Sequence, residues 1–478
     1  MSSTARAAIW RNRIADAWAN AWRWLALAAG AVVVTYVLLE RGIQNGAANA
    51  IVLAAFVVAA ALTKSKPLAI VLFATPGLLI AQRVGLGGGD LSVSDAALAA
   101  AFGTALLLGE RPYSAPLRWL LVLNLCYQFA TLFTVIVNPY PLNTIEWFHA
   151  WMLVSGALIV GWALGAAGYA RLALSLLVWT ACVMAVSTIV MAVAQFAVGN
   201  FGPATPAWPW PMHKNFVGTV SAFAAIVVYV NPDWVGWTRG WSRVALLVFG
   251  VAAAASQSRQ ALIGLIAAVV FVVLRRSASK RSRLVLLLLV PAGWLVVSMV
   301  IDQIDSQNQH NSVFQRLEWF REVYHFWREA PFFGHGLRYW YVDGNLPYQP
   351  PQAELEVIAS AGVVGLIAFI VMWIGAFIVL WRVDPRYGTL AIAVLLSRIV
   401  QAQFDLFWVA VQVSVPFVVA GICLGAMARA ERATSGLAPP EARHPWPELT
   451  DGNPVLRGAP AGPDVRRDRA GRGRLTYH

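Results

Sequence analysis

Three arginines occupy positions in this sequence where a permanent charge is expensive. Arg259 separates two apolar runs in AAAASQSRQALIGLI, and Arg398 lies inside AIAVLLSRIVQAQFDLFWVA. Arg316 opens RLEWFREVYHFWRE, in which apolar residues recur near helical spacing. An arginine in a membrane span costs several kcal/mol unless it faces a partner or a wet cavity. Because the guanidinium offers paired donors that fit phosphate oxygens, these arginines predict a phosphate-bearing ligand.

Simpler explanations compete for two of the three. Arg398 could pair with Asp405, seven residues further along, if both lie on one helix face. Arg316 could be an arginine that an interfacial helix carries to the membrane surface. Arg259 has no acidic residue within ten positions on either side, so pairing explains it least well. A lipid-linked diphosphate at the outer face of the membrane fits, because its lipid tail would stay in the bilayer.

The rest of the chain must hold these groups in a bilayer. Of 478 residues, 59% are hydrophobic and only 12% are charged, whereas soluble domains carry about 25% charged residues. Apolar runs of about 18 residues, long enough to cross about 30 Å of hydrocarbon, recur along the chain. The predicted fold class is an all-α polytopic membrane protein with about 12–14 transmembrane helices. One long outer loop is expected to contain an amphipathic helix.

Charge and cysteine content exclude other classes of protein. The net charge is +13, but an excess of Lys and Arg in a membrane protein marks its cytoplasmic side, so no nucleic-acid partner is expected. Cys126, Cys182 and Cys423 lie in apolar segments without metal-ligand spacing or a disulfide framework. No metal and no cofactor is expected. Membrane lipids are the expected surroundings.

The lysines and arginines of the short loops predict the orientation. Lys64, Lys66, Arg239, Arg243 and the basic run around Arg281 all fall in inner loops if the N terminus is inside. Both termini are then cytoplasmic.

The predicted spans are 24–40, 47–62, 67–82, 94–109, 118–137, 150–170, 171–196, 214–231, 243–257, 260–275, 284–301, 357–381, 387–404 and 407–428, of which the third and fourth could be re-entrant. The segments are a basic cytoplasmic N-terminal segment 1–23, transmembrane helices in 24–301, a periplasmic or extracellular loop 302–356, the last transmembrane helices in 357–429 and a disordered basic cytoplasmic tail 430–478.

Four stretches together resemble the bacterial O-antigen ligase and O-antigen polymerase superfamily. SQSRQALIGLI resembles the Ser-Arg signature of that superfamily, and RLEWFREVYHFWREAPFFGHG resembles the segment that ends its large periplasmic loop. AELEVIASAGVVGLIAF resembles the start of the next span, and PMHKNFVGTVSAF is similar to an earlier span start. Their order and spacing match, and so do the long outer loop and the three spans after it.

The resemblance implies a metal-independent, inverting membrane glycosyltransferase. Such an enzyme moves a glycan from a polyprenyl (undecaprenyl) diphosphate carrier to a sugar hydroxyl of a glycan or glycolipid acceptor, at the outer face of the bacterial plasma (inner) membrane. Arg259 and Arg316 fall on the arginines of the two signatures and would bind the diphosphate. Arg338 is assigned to the same anion, Arg398 lies in a later span, and Asp405 is similar to an acid of the C-terminal spans. Polymerase and ligase both remain open, because they differ only in the acceptor.

One departure from the family pattern concerns the general base. The family commonly has His-Asn where this sequence has Pro351 and Gln352. Gln352 can replace the Asn as a hydrogen-bonding group but cannot take a proton. His335 and Glu354 are the nearest substitutes and are the predicted catalytic residues. Histidine suits proton transfer near neutral pH, although His335 could equally be an ordinary loop histidine.

Two other functions compete with glycan transfer. A membrane transporter of an anion or small solute would line a path with Arg259, Arg398 and Asp405, and would favour an inverted repeat. The sequence has no convincing internal repeat, and transport does not account for the long outer loop. A membrane scaffold would not need arginines in its spans. The site's location discriminates: a cavity open to the outer face favours transfer, whereas a midplane site favours transport.

Overall fold

A computed structural model describes residues 66–83, 92–275, 312–342 and 349–435 of the chain. These ranges are mainly helical, and one isolated β-bridge joins Arg83 to Ser92. The prediction of an all-α polytopic membrane protein is thereby confirmed. The helices, in chain order, are α1 (Ala69–Gly77), α2 (Val93–Leu108), α3 (Ala115–Val137), α4 (Pro141–Ala166, with a π-helical turn at Met152–Gly156), α5 (Ala170–Ala197), α6 (Lys214–Val230), α7 (Arg239–Ser256), α8 (Arg259–Arg275), α9 (Ser312–Glu329), α10 (Ala353–Trp381), α11 (Pro385–Gln401) and α12 (Ala410–Thr434).

Five of the described helices are long and apolar enough to cross a membrane, namely α3, α4, α5, α10 and α12. Their outward faces carry large apolar side chains that water would not tolerate as a continuous surface, including Trp119, Phe129, Val190, Ile367 and Ile374. Lipid is therefore the medium around this bundle. The predicted spans at 24–40, 47–62 and 284–301, the segment 1–23 and most of the tail lie outside the described residues.

The chain divides into two compact units, residues 1–431 and 432–478. In the second unit the described residues are the last turn of α12 and Ser435. In the first unit, α3 packs along α10, α8 along α11, and α6 against α7. Helices α4 and α12 approach through small residues. A Cβ at Gly161 would lie within 3 Å of the Gly421 backbone, which is the close approach that small residues allow between membrane helices.

A break at Gly362 shapes the start of α10. Gly362 has φ 66° and ψ −167°, a region that only glycine occupies readily. The break frees backbone groups on both sides, and the turn PFFGHG (residues 331–336) binds them. Val363 N–H donates to the carbonyl of Pro331 at 2.9 Å, and His335 N–H donates to that of Ala359 at 3.1 Å. This backbone exchange accounts for the glycines of both motifs, because a Cβ at Gly334 would lie 2.4 Å from Ser360.

The amphipathic helix predicted in the long loop is present as α9. It ends at Glu329, two residues before Pro331, which cannot continue a helix. Val323 is buried in a small cluster with Trp340 and Ala359, and Phe326 packs against it. One apolar face of the helix therefore docks on the start of α10, rather than only on lipid. The side chains of residues 312–317 lie outside the described residues.

Basic residues gather at one end of the bundle. Arg275, at the end of α8, donates to the carbonyls of Trp381 at 3.1 Å and Val383 at 3.2 Å. Asp384 accepts from the backbone of Arg386 at 2.8 Å, and hydrogen bonds from the Arg386 guanidinium lower the pKa of that carboxyl. We call this the basic end. The turn at 331–336 and the start of α10 lie at the opposite end.

Candidate functional site

A polar cavity of about 150 Å³ opens at the end of the bundle opposite the basic end. One wall comes from the start of α2 and from α4, and the other from the start of α10 and the segment 406–411 that follows α11. We call it the acid–histidine cavity. Its polar and aromatic lining residues are Arg83, Ser92, Asp95, Glu146, His149, Arg338, Tyr341, Gln349, Glu356 and Trp408.

Four charged or titratable side chains form a continuous chain along one wall of the cavity. Asp95 Oδ1 lies 2.9 Å from His149 Nε2, and His149 Nδ1 lies 3.3 Å from Glu146 Oε1. Glu146 Oε2 accepts from Nε of Arg338 at 2.7 Å. Both carboxylates and the imidazole are largely buried, with side-chain exposures between 5% and 12%. Each of the two buried carboxylates therefore has at least one basic side chain within hydrogen-bond distance.

Local sequence explains why Asp95 sits in this wall. Ser92 and Asp95 form a capping box at the start of α2: the Asp95 carboxylate accepts from the Ser92 N–H at 2.8 Å, and the Ser92 hydroxyl accepts from the Asp95 N–H at 3.3 Å. The cap fixes the carboxylate in the first helical turn. His149 then approaches it from α4, in the turn before the π-helical segment.

Glu356 forms part of the opposite wall. Its Oε2 accepts from the backbone N–H of Phe407 at 2.9 Å, and its Oε1 accepts from the amide of Gln349 at 2.6 Å. Both hydrogen-bond donors are uncharged. The side chain is buried, with 3% of the residue exposed. Trp408 continues this wall, and its ring packs perpendicular to that of the buried Phe407 at a centroid distance of 4.7 Å.

Arg398 and Asp405 do not lie on one helix face, as the pair suggested from the sequence would require. Helix α11 ends at Gln401, so Asp405 does not continue the same helix face. Arg398 is fully buried, donates to Gln412 at 2.7 Å, and donates to the carbonyls of Leu406 and Phe407. It therefore anchors the segment 402–409 in place.

A second polar region lies beside the start of α8, and we call it the Arg259 region. Arg259 is the first residue of α8 and is half-buried. Its neighbour Gln260 donates to Asp405 Oδ2, while Asp405 Oδ1 accepts from the Leu406 N–H at 2.9 Å. Ser258 lies 3.4 Å from the side chain of Asn215, at the start of α6. The loop 402–409 thus contributes to this region as well as to the cavity.

Glu354, a predicted catalytic residue, does not line the acid–histidine cavity. Gln403 donates to Glu354 Oε1 at 2.8 Å, and Gln352 donates weakly to Gln403 at 3.4 Å. The second oxygen of Glu354 is buried and has no hydrogen-bond partner among the described residues. Two positions separate Glu354 from Glu356, so the two carboxylates leave α10 on opposite sides.

His335 and Arg316 complete the predicted set. His335 Nε2 lies 2.9 Å from the carbonyl of Phe326 and must donate to it, and the ring packs on Phe326 at a centroid distance of 4.0 Å. His335 does not line the cavity. Arg316 lies on α9, but its side chain is outside the described residues. Of the predicted residues, the described structure thus brings Arg338 to the cavity, and Asp405 beside Gln260.

Residues 244–370 match the family model described as O-Antigen ligase. This chain carries an O-antigen ligase domain. The resemblance inferred from motifs is confirmed over that range, whereas the motif PMHKNFVGTVSAF precedes it. A comparison with curated proteins finds no match. The O-antigen ligase domain contains Arg259, His335, Arg338, Glu354 and Glu356, so it contributes to both polar regions.

The rest of the cavity comes from outside the O-antigen ligase domain. Asp95, Glu146 and His149 precede it in the chain. Sequence reasoning did not select these three residues or Glu356 as site residues. The available signal was an ionisable side chain in an apolar stretch, which is a functional hypothesis in any membrane helix. Among the described residues, no group of three His, Cys, Asp or Glu is arranged to hold a metal ion.

Proposed function

We propose that the protein transfers a glycan from a polyprenyl diphosphate carrier to a sugar hydroxyl at the outer face of the plasma membrane. The O-antigen ligase domain supports glycan transfer at a membrane in general. The specific reaction is supported by two polar regions that lie side by side at one end of the bundle. One offers an arginine to an anion, and the other offers carboxylates to hydroxyl groups.

The Arg259 region is suited to the diphosphate. Arg259 opens α8, so its guanidinium lies at the positive end of the helix dipole, and both attract anions. Phosphate oxygens accept such charge-assisted hydrogen bonds in pairs. A good leaving group mainly needs its developing charge stabilised, which fixed donors do without a metal. Arg316 remains a predicted second contact, whereas we assign Arg338, which is paired with Glu146, to the cavity.

The basic end supports an outward-facing site. Cytoplasmic loops carry the excess of Lys and Arg in polytopic membrane proteins. Arg275, Arg382 and Arg386 mark the basic end, and the cavity opens at the other. A bilayer-tethered donor could approach that end laterally and keep its lipid chain in the hydrocarbon.

Reconstituted transfer tests the proposal. The full chain in liposomes is given an undecaprenyl diphosphate-linked oligosaccharide and a separate glycan acceptor, and products are separated by mass. We expect covalent glycan transfer that persists in excess chelator. Chain extension would indicate a polymerase, and capture by the separate acceptor a ligase. Movement of the intact donor across the bilayer with no new glycosidic bond would contradict transfer and favour a transporter.

A matched arginine variant localises the effect. Arg259→Ala is compared with Arg382→Ala, which removes an exposed arginine at the basic end. Transfer should fall only in the first. Equal activity of the two folded variants would overturn the assignment of the diphosphate to Arg259.

A further inference from the structure

In a direct displacement at the donor sugar, the acceptor hydroxyl carries one proton that another group must accept. The acceptor hydroxyl must lose it as the new glycosidic bond forms, and a side chain that takes it must reach the acceptor. The position where the family commonly has a histidine holds Pro351, which cannot do this. The group that takes the proton therefore lies elsewhere in the protein.

The cavity has the size and lining of a sugar site. A cavity of about 150 Å³ holds one six-membered ring. Sugar hydroxyls need hydrogen-bond acceptors, and the cavity presents Asp95, Glu146 and Glu356. Trp408 and Tyr341 add aromatic surface of the kind that packs on sugar rings. An anionic diphosphate would meet repulsion from the same carboxylates, so an uncharged hydroxyl-bearing ligand fits better.

Two of the three carboxylates already bind a histidine or an arginine side chain. Asp95 is held by its own helix cap and by His149, and Glu146 lies between His149 and Arg338. A carboxylate that basic side chains hold in one position is suited to orient hydroxyl groups. Glu146 and its two partners are therefore suited to binding an acceptor rather than to taking its proton.

Glu356 differs because its carboxylate meets only uncharged donors, from Phe407 and Gln349. Each carboxylate oxygen can accept two hydrogen bonds, so one site on each remains for a ligand. Both donors hold the group in a fixed orientation. The backbone N–H of Phe407 is itself fixed because Arg398 binds the carbonyl of the same residue. A pair of nearby carboxylates in unlike environments is the usual arrangement for dividing binding from proton transfer.

We propose, on the basis of the function proposed above, that Glu356 accepts the proton of the acceptor hydroxyl bound in the acid–histidine cavity. The hydroxyl oxygen attacks the anomeric carbon of the donor sugar, and a new carbon–oxygen bond forms. The bond between that carbon and the diphosphate oxygen breaks, and its electron pair leaves with the lipid diphosphate. The hydroxyl proton passes to the Glu356 carboxylate, which later releases it to water.

The test compares an acceptor sugar with its analogue in which a thiol replaces the reacting hydroxyl. A thiol ionises near neutral pH without help, whereas a hydroxyl does not. In the reconstituted reaction, Glu356→Gln should transfer to the hydroxyl acceptor at least about 100-fold more slowly than wild type. Transfer to the thiol acceptor should stay within about threefold, with the KM for the donor unchanged. A role in folding alone would slow both acceptors equally.

Three further variants make the result decisive. Glu356→Asp keeps the charge but withdraws it by one methylene, so it should show the same selective loss even if the Gln variant does not fold. Asp233→Asn removes an exposed carboxylate in the loop before α7 and should transfer like wild type. Glu354→Gln tests the rival carboxylate, whose second oxygen lacks a partner among the described residues.

The outcomes separate this inference from the proposed function. If wild type forms no covalent product, the proposed function fails. If wild type transfers but folded Glu356 variants keep more than about a third of the hydroxyl rate, the inference alone is overturned. Selective loss with thiol rescue in Glu354→Gln, and not in Glu356→Gln, would also overturn it and assign the proton to Glu354.

Discussion

The Arg259 region and the acid–histidine cavity lie on two sides of the loop 402–409, yet their chemistry is opposite. On either side of Arg259 in the chain, Ser258 lies close to the amide of Asn215, and Gln260 donates to Asp405. In the cavity, carboxylates outnumber arginines, and a histidine lies between two of them. Under the proposed function, this one loop separates the site of the anionic leaving group from the site of the neutral nucleophile.

Both regions depend on the same few supports. Asp405 and Phe407, two residues apart, contact Gln260 on one side and Glu356 on the other. Arg398 fixes this loop through two backbone carbonyls. A small shift of the loop would therefore move both regions together, which is how a leaving group and a nucleophile can be kept in register.

The break in α10 gives the largest expected effect, because it supports both regions at once. Gly362→Ala forces an unfavourable φ and places a Cβ 2.4 Å from the backbone of Phe332. We expect a loss of more than about 3 kcal/mol of stability and no transfer. Thermal unfolding in detergent measures it. Gly250→Ala, where nothing lies within 4 Å of the added Cβ, should be neutral or stabilising. Similar behaviour of the two variants would mean that the break supports neither region.

Removing the arginine at the start of α8 should affect the donor alone. Arg259→Ala should lower kcat/KM for the lipid diphosphate donor by about 100- to 1000-fold, because charge developing on the leaving group loses a fixed donor. Arg259→Lys should recover only part of it, since a point charge cannot bind two oxygens at once. Steady-state kinetics at varied donor and acceptor concentrations measure both. A tenfold rise in the acceptor KM of Arg259→Ala would contradict the assignment of donor and acceptor to separate regions.

A substitution in the acid–histidine cavity should affect the acceptor alone. Glu146→Gln removes the charge that pairs with Arg338 and His149, and we expect the acceptor KM to rise by about tenfold, which corresponds to about 1.4 kcal/mol. The donor KM should stay within about twofold. The same kinetic series measures both constants. A selective rise in the donor KM would place the diphosphate in the cavity instead.

The smallest effect is expected at His335, which lies in neither region. Its ring donates to the carbonyl of Phe326, so His335→Ala should cost about 1 kcal/mol of stability. Transfer by the folded variant should fall by less than about threefold. Activity and unfolding temperature are measured together. A loss of about 100-fold at unchanged stability would return the proton-accepting role to His335, as the sequence had suggested.

Long apolar runs made much of the fold predictable. The span predicted at 171–196 is the helix Ala170–Ala197, and that predicted at 214–231 is Lys214–Val230. Hydropathy failed where a helix is polar on one side. The span predicted to begin at 150 begins at Pro141, because Asn143 and Glu146 lower the apolar content of its first turns. The same polar turns carry much of the cavity, so the site was missed together with the helix start.

The remaining misses arise from contacts between distant segments. Nothing in the local sequence brings Asp95 to His149, or Phe407 to Glu356, because each pair is separated by about fifty residues and joined only by packing. The motif glycines were recognised as part of a family pattern, but their reason is the backbone exchange between residues 331–336 and the break at Gly362. Helix α10 likewise begins at Ala353 rather than at 357, which puts Glu354 and Glu356 on its first turn.

The central claim is that the diphosphate binds beside Arg259 and not in the acid–histidine cavity. Its most direct test is the equilibrium affinity of undecaprenyl diphosphate, without a glycan, for folded wild type, Arg259→Ala and Glu146→Gln in detergent. We expect an affinity about 30-fold or more weaker for Arg259→Ala, from the loss of about 2 kcal/mol, and an affinity within about twofold of wild type for Glu146→Gln. Unchanged binding by Arg259→Ala, or weakening confined to Glu146→Gln, would contradict it.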